Sequence, residues 1–525
     1  MPLLMPISIR SIRAVGDRAV LVQLGSLSDV LALYEALRAH PLPGQIDAVA
    51  AAETVLVTAD SAVAADGFAA RLRAIAPAAG AARSNALVEI DVIYDGDDLD
   101  EVGRLTGLGR DGVIAAHAGQ PWTAAFGGFA PGFAYLIGDD RLVVPRRSSP
   151  RKAVPAGSVA IADAYSAVYP RVTPGGWQLI GRTDAPLWSL DRDQPALVQP
   201  GDRVQFRAVR ELVRAAPTAA AADAAPGPPA DLTVVQPGLQ TTVQDLGRPG
   251  LAHLGVAGAG ALDRGALRRA NRLVGNPASA AALENALGGL VLEARSEQVL
   301  AVAGASVVLT ITRTDSAPRT VSTDAPFALH AGERLCLDAP QWGVRSYLAV
   351  RGGFDVPLVL GSRSTDSMSG IGPHPLAAGT DLRVLPAPPT SVVAAAETPP
   401  APHDDPTVLR YRRGPRADWF SAAALAQLDR TDWIVSAQSN RIGLRLDGPA
   451  LQRSRTGELP SEGTVSGAIQ LPASGVPVLF LADHPVTGGY PVLGVVLHAD
   501  LDRAAQLGTG ARIRFVATPI HSNES

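Results

Sequence analysis

One motif series occurs twice in this chain, on opposite sides of two Ala/Pro-rich stretches, and it limits the possible folds more than any other feature. In the first half, Val154-Pro-Ala-Gly-Ser-Val-Ala-Ile161 leads to Thr173-Pro-Gly-Gly-Trp177 and then to Pro200-Gly-Asp-Arg-Val-Gln-Phe206. Near the end, Leu471-Pro-Ala-Ser-Gly-Val-Pro-Val478 leads to Thr487-Gly-Gly-Tyr-Pro491 and then to Gly508-Thr-Gly-Ala-Arg-Ile-Arg-Phe515, with order and spacing roughly kept. Two related β domains are therefore expected, each with a Gly-Gly-aromatic turn. With 52 Gly and 43 Pro in 525 residues and 5% aromatics, many short elements joined by tight turns are favoured over long helical bundles.

Residues 211–231 are mostly Ala and Pro with no periodic apolar face, and residues 386–406 form a second Pro/Ala-rich connection ending in His403-Asp-Asp-Pro406. These stretches divide the chain. Residues 1–84 carry strand signals at Ala19–Leu24 and Thr54–Val57 around a helical run from Val30 to Arg38, a small α+β domain. Residues 85–210 open on the alternating Val88–Tyr94, pass through two short helical stretches and continue as turn-punctuated strands, a compact β domain. Residues 232–385 and 407–520 make up the second half. The fold class expected is mainly β with α+β parts.

Charge and composition exclude much chemistry. A balance of 46 basic against 50 acidic residues supplies neither a phosphate-tracking nucleic-acid surface nor a polybasic membrane patch. Lys152 is the only Lys, and its Pro-Arg-Lys-Ala context fits neither a Walker loop, a Schiff-base enzyme nor a biotin carrier. The single Cys336 forms no internal disulfide and is expected as a buried thiol in a strand. Prolines interrupt the opening segment where a signal peptide needs an apolar helix, and no long uncharged apolar run follows, so a soluble cytoplasmic protein is expected.

Gly107-Leu-Gly-Arg-Asp-Gly112 has the letters of a dinucleotide fingerprint but follows a helical pattern rather than a strand, so the glycines are expected to end one helix before the next begins. No His pair at i, i+4 stands beside a carboxylate, so no metal motif is present. His117 and His484 each lie near a Gly-rich loop. Gly127 to Tyr135, with Phe129, Pro131, Gly132 and Tyr135, combines close backbone approach with aromatic rings, either as a pocket wall for a small amide or as a tight packing corner. Arg151 and Arg248 are candidate anion anchors, or solvated charge. Gln244 and Asp245 stand in a turn-rich polar region that orients a substrate or satisfies buried backbone. Asp483, His484 and Thr487 place a carboxylate, an imidazole and a hydroxyl within five positions, enough for general acid or base work.

These segments carry a family resemblance. Gly128-Phe-Ala-Pro-Gly-Phe-Ala-Tyr135, Pro150-Arg-Lys-Ala-Val-Pro-Ala-Gly-Ser-Val-Ala-Ile161 and Pro174-Gly-Gly-Trp-Gln-Leu-Ile-Gly-Arg-Thr183 resemble the B subunit of bacterial 5-oxoprolinase, the KipI or allophanate hydrolase subunit 1 family. Gln244-Asp-Leu-Gly-Arg248, Ala270-Asn-Arg-Leu-Val-Gly-Asn276, Arg345-Ser-Tyr-Leu-Ala-Val-Arg-Gly-Gly353, Gly361-Ser-Arg-Ser-Thr365, Ser461 to Gln470 and Thr487-Gly-Gly-Tyr490 resemble the C subunit of the same enzyme, the KipA or allophanate hydrolase subunit 2 family. The resemblance implies a natural B-C fusion with cyclophilin-like β-barrels in both halves. It implies ATP-dependent opening of 5-oxoproline to glutamate with a separate A subunit, with ATP and Mg shared with that partner.

Within it, His117, Asp483, His484 and Thr487 are the catalytic candidates. The candidate substrate contacts are Phe129, Pro131, Gly132, Tyr135, Arg151, Ser158, Gly175, Gly176, Trp177, Gln244, Asp245, Arg248, Gln470, Gly488, Gly489 and Tyr490. An oligomer is compatible with the sequence, and no covalently bound biotin, nucleic acid or membrane is expected. Similar modules form the carboxyltransferase part of urea carboxylase, which makes carboxyl transfer the second expectation; regulation of a histidine kinase, known in both families, is a third. The chain departs from the families at Tyr165-Ser166, at Gly372-Pro-His-Pro-Leu376 and at Pro485.

Overall fold

A computed structural model describes residues 7–75, 87–212, 229–402, 404–455, 457 and 459–519. Most of the linker expected at residues 211–231, and His403, lie outside these residues.

The first part is a four-stranded antiparallel sheet in the order Ile9–Ala14, Ala19–Leu24, Thr54–Ala59, Gln45–Ala50, with helices Leu27–Ala39 and Ala62–Arg73. Sequence reading found its two central strands and first helix but not the outer strands or second helix. The strand Ala19–Leu24 is almost wholly apolar because both faces are covered. Val20, Val22 and Leu24 join the helices' Val30, Leu33 and Phe68 in one core, whereas Ala19 and Leu21 join Phe480, Val486 and Val495 from the far end of the chain in another. The N-terminal sheet is thus wedged against the C-terminal domain.

The two repeated domains share one topology. In the first, the sheet order is Gln178–Arg182, Ser158–Ala162, Tyr165–Val168, Ala134–Ile137, Pro121–Gly127, Arg203–Ala208, Leu87–Val92, and the bridge Ile93 to Arg182 brings its edges together. The second is a closed barrel ordered Val492–Val496, Ala468–Gln470, Val478–Phe480, Gly443–Asp447, Asp432–Val435, Arg512–Ala517, Thr407–Arg413. Counted along the chain within each domain, both run sixth, fourth, fifth, third, second, seventh, first. In both, the first and last strands pair in parallel. Each also carries a separate two-stranded ribbon, Arg151–Val154 with Thr173–Gly175 and Glu462–Gly463 with Thr487–Gly488, which holds the Gly-Gly-aromatic turn.

The correspondence extends to side chains: Trp122 donates to the His117 carbonyl at 3.0 Å, and Trp433 donates to the Leu428 carbonyl at 3.1 Å. His117 of one barrel therefore occupies the place of Leu428 in the other. The helices Leu99–Thr106 and Gly109–Ala118 meet at Gly107 in the left-handed conformation, as the non-strand context of those glycines required.

Between the barrels, the C half begins with two antiparallel sheets of six and five strands and the helix Arg264–Leu273. Cys336 lies in the strand Arg334–Leu337 and is half-buried rather than fully buried. The Pro/Ala-rich connection from residue 386 lacks regular structure but is tied down: Ala394 N–H donates to Leu273, and Arg272 pairs with Glu397. No helix among the described residues is long and apolar enough to cross a membrane.

Candidate functional site

The Gly-rich loop of the first barrel meets the Gly-Gly turn of the second. Phe129, held at φ 61° in the left-handed region that non-glycine residues avoid, donates its N–H to Thr487 Oγ at 3.0 Å. Burial raises the Tyr135 pKa against the nearby Ser461 and Thr487, and Gly132 N–H donates to the Leu254 carbonyl. Phe129, Phe133, Tyr135, Tyr169 and Trp177 pack edge to face with centroids 5.0 to 6.2 Å apart, and Tyr135 stacks on Phe126 at 4.3 Å. Of the two sequence readings of this loop, the structure gives the packing corner, which forms the seam between the halves. Gly175 belongs to the same corner, since a Cβ there meets the Tyr169 hydroxyl at 2.4 Å. Pro131, Ser158 and Gly176 sit in these loops and strands, and none lines the cavity described next.

A cavity of ≈ 270 Å³ opens beside the seam, walled by three parts of the chain. The N-terminal sheet contributes Val15, Arg18, Asp47 and Leu56; the segment around Val256 to Arg264 and the second barrel, with Phe480, His484, Val486 and His498, supply the rest. Its walls are mainly apolar with a few convergent polar groups, the usual composition of a small-molecule site. Of the residues nominated from sequence, His484 alone lines it. His484 Nδ1 lies 2.9 Å from the Pro485 carbonyl, so it carries the proton and leaves the lone pair on Nε2. Its ring stacks on Phe480 at 5.6 Å, and burial, opposed by Pro485 and Asp483, lowers its pKa and keeps the imidazole neutral. Across the cavity, burial pushes Asp47 up to about 6 although its oxygens accept N–H groups of Ala252 and Ala48. Nothing in the sequence around Asp47 marked it, because its surroundings come from segments some two hundred residues away.

Asp483 has a different task. It is 0% exposed and held by Arg441 at 3.0 Å through both oxygens and by the N–H and hydroxyl of Ser367 at 2.9 and 2.6 Å. Arg441 also binds Glu284 and the Gly260 carbonyl. Burial opposes ionisation of Glu284, but Arg441, Arg345 and the Tyr347 hydroxyl outweigh it and keep the carboxylate charged. With every oxygen engaged, Asp483 positions the loop that carries His484 and leaves proton transfer to its neighbour.

Several other nominated residues are also structural. Arg151 is spent on Asp98, bonding both carboxylate oxygens at 2.8 and 3.1 Å, so it is no free anion anchor. Arg248, 2% exposed, donates to the carbonyls of Val359 and Ser364. Gln244 bonds Thr242 and the Thr365 carbonyl, and Asp245 cages the Ser362 and Ser364 hydroxyls and the Arg363 N–H. Gln470 donates to the Tyr490 carbonyl at 3.4 Å; Tyr490 itself, beyond Gly488 and Gly489, is 45% exposed beneath Arg453.

His117 is enclosed in the first barrel, with Tyr94 O–H at 2.7 Å on Nδ1, Ser166 Oγ at 2.8 Å on Nε2 and Phe206 at 4.4 Å, so it has no access to the cavity. Burial lowers its pKa to about 3, so below the unfolded value of 6.5 the unfolded chain takes a proton that the fold refuses, and stability is lost as pH falls. His117→Leu, which copies Leu428, is therefore expected to gain about 2 kcal/mol relative to wild type between pH 7.5 and 5, against a constant cost from the orphaned hydroxyls. Urea melts at the two pH values test this; equal pH dependence in both proteins refutes it.

Comparison with known proteins agrees with this two-half organisation. Residues 10–198 match the model "Carboxyltransferase domain, subdomain C and D", and residues 254–517 match "Carboxyltransferase domain, subdomain A and B". The C half is 39% identical over 291 residues to the 5-oxoprolinase C subunit of Escherichia coli (strain K12), covering 54% of this chain and 90% of that protein. Within the first half, 129 residues, 24% of this chain, are 44% identical to the 5-oxoprolinase B subunit of Bacillus subtilis (strain 168), covering 54% of it. The crystal structure of TTHA0988 superposes with a TM-score of 0.84 at 34% identity, covering 95% of this chain and 99% of the other. The chain belongs to the carboxyltransferase-domain family and joins in one polypeptide the counterparts of the B and C subunits of 5-oxoprolinase.

Proposed function

We propose that this chain is the fused B-C component of an ATP-dependent 5-oxoprolinase, opening the lactam of 5-oxoproline to glutamate together with a separate A subunit. The observation that carries this reading is the composition of the cavity wall: Asp47 comes from the B half and His484 from the C half, so neither half encloses the site alone. His484 Nε2 faces the bound amide, takes a proton from the water that adds to the lactam carbonyl and returns it to the nitrogen as the C–N bond breaks. Among the described residues no three acidic, imidazole or thiol groups are grouped to hold a metal, and Lys152 is exposed on a strand, so these residues supply no metal cage of their own. ATP and Mg are taken as shared with the partner subunit, and no step here is drawn through them.

Mixing the chain with its A subunit, ATP and 5-oxoproline is expected to yield glutamate and ADP. His484→Gln is expected to lower kcat by roughly 10²–10⁴ with the melting temperature kept. Absence of glutamate with the intact chain overturns the reading, and full activity in the variant removes His484 from it. The family description favours a second reading, carboxyl transfer to an amide. Carboxylation of urea by the chain with a carboxybiotin donor supports that alternative.

A further inference from the structure

One end of the cavity wall is crowded with cations. Arg18 precedes the strand Ala19–Leu24, Arg264 opens the helix Arg264–Leu273, and Arg268 lies one turn further along it. Arg18 and Arg264 line the cavity together with His498. Arg18 donates to a backbone carbonyl, that of Asp60 at 3.0 Å, while the guanidinium groups of Arg264 and Arg268 make no hydrogen bond or ion pair among the described residues.

Two carboxylates, Asp17 and Asp502, line the cavity with them, and Asp502 attracts Arg264 and Arg268 without forming an ion pair with either guanidinium. Asp502 accepts the N–H groups of Arg264 and Gly265 at 2.9 and 3.1 Å, and Asp17 accepts the His498 N–H at 3.2 Å. The crowding registers on its members. Burial first, and then Arg268 and Arg18, lower the Arg264 pKa against the pull of Asp502; burial with Arg18 and Arg264 brings His498 down to about 4 against that of Asp17. Grouping like charges at the edge of a low-dielectric cavity costs free energy, and an oxyanion bound among them reverses the sign of that interaction. Next to the cations, Val256, Phe480 and Val486 present apolar surface within the same ≈ 270 Å³.

We infer that Arg18, Arg264 and Arg268 form an oxyanion subsite that anchors a compact ligand, with its carboxylate or phosphate on the guanidinium groups and its uncharged body against the apolar wall toward His484. As to the source of the anion, the inference rests on the proposed function, since 5-oxoproline carries a carboxylate beside its lactam.

The test uses the full chain alone, without its partner, ATP or turnover. Calorimetric titrations at low salt employ 5-oxoproline, its uncharged analogue 2-pyrrolidinone, and inorganic phosphate. At least one of the two anions is expected to bind, at least ten-fold more weakly to Arg264→Gln and to the exposed Arg268→Gln, and equally to the remote control Arg104→Gln. Binding of 5-oxoproline but not of phosphate identifies a substrate carboxylate, and binding of phosphate identifies a phosphoryl group; 2-pyrrolidinone is expected to bind the variants and wild type alike. Binding of neither anion to wild type, or unchanged affinity in both variants, overturns the subsite. Because no catalysis is read, a chain that binds the anion yet yields no glutamate with its partner counts against the enzyme assignment and leaves the subsite standing.

Discussion

Arg441→Met is expected to lower stability by about 3–5 kcal/mol, because it removes the cation that two buried carboxylates share and leaves Glu284 with Arg345 at 3.7 Å. Arg441 is 2% exposed, bonds Asp483 at 3.0 Å twice and the Gly260 carbonyl at 2.6 Å, and clasps Glu284. Glu284 comes from the strand Ala282–Ala286 of the first C-half sheets, whereas Arg441 and Asp483 belong to the barrel, so the clasp fastens these two parts together. In wild type the depressed pKa of Glu284 adds stability above the unfolded carboxylate pKa, and this is lost as pH falls through the folded value. Without Arg441 that depression weakens, because burial is then opposed by Arg345 and Tyr347 without it, and the variant's deficit shrinks as pH falls toward 4. Urea unfolding at pH 7.5 and 4.5 measures both effects. A deficit below about 1 kcal/mol at pH 7.5 would show that solvent or another cation compensates the pair.

The repeat was legible because it is built from local chemistry. Gly-Gly-aromatic turns need particular backbone conformations, and Trp177 and Tyr490 each follow such a turn in a barrel of the same strand order. The strand Ala19–Leu24 was legible for a related reason, since burial on both faces leaves a continuous apolar run. The cavity was not legible, because its polar groups are drawn together only by tertiary structure: Asp47, Arg264 and His498 share no local pattern. His117 misled because proximity to a Gly-rich loop in sequence is not proximity to a cleft, and its place is that of a barrel leucine. Asp483 and Arg151 misled because charged side chains in Gly/Pro-rich segments signal hydrogen-bonding demand without saying whether a ligand or the chain itself meets it.

Thr487→Ala is expected to rescue Gly128→Ala, and the pair tests whether the seam couples the two halves. A Cβ at Gly128 falls 2.3 Å from Thr487 Oγ and 2.7 Å from its methyl carbon, too close without displacement of one barrel loop from the other. Gly128→Ala alone should therefore cost about 1–3 kcal/mol and lower turnover, because the displaced loop carries Thr487 only three residues from His484. Thr487→Ala alone removes the acceptor for the Phe129 N–H, at a cost of about 1–3 kcal/mol. In the double variant the severe contacts are removed and the nearest remaining Thr487 atom, Cβ, is 3.1 Å from the new methyl, which a shift of a few tenths of an ångström relieves, so the double should cost little more than Thr487→Ala. The resulting coupling of at least about 1 kcal/mol is what contact across the seam demands, whereas strictly additive losses would mean that the two loops are not in contact in solution.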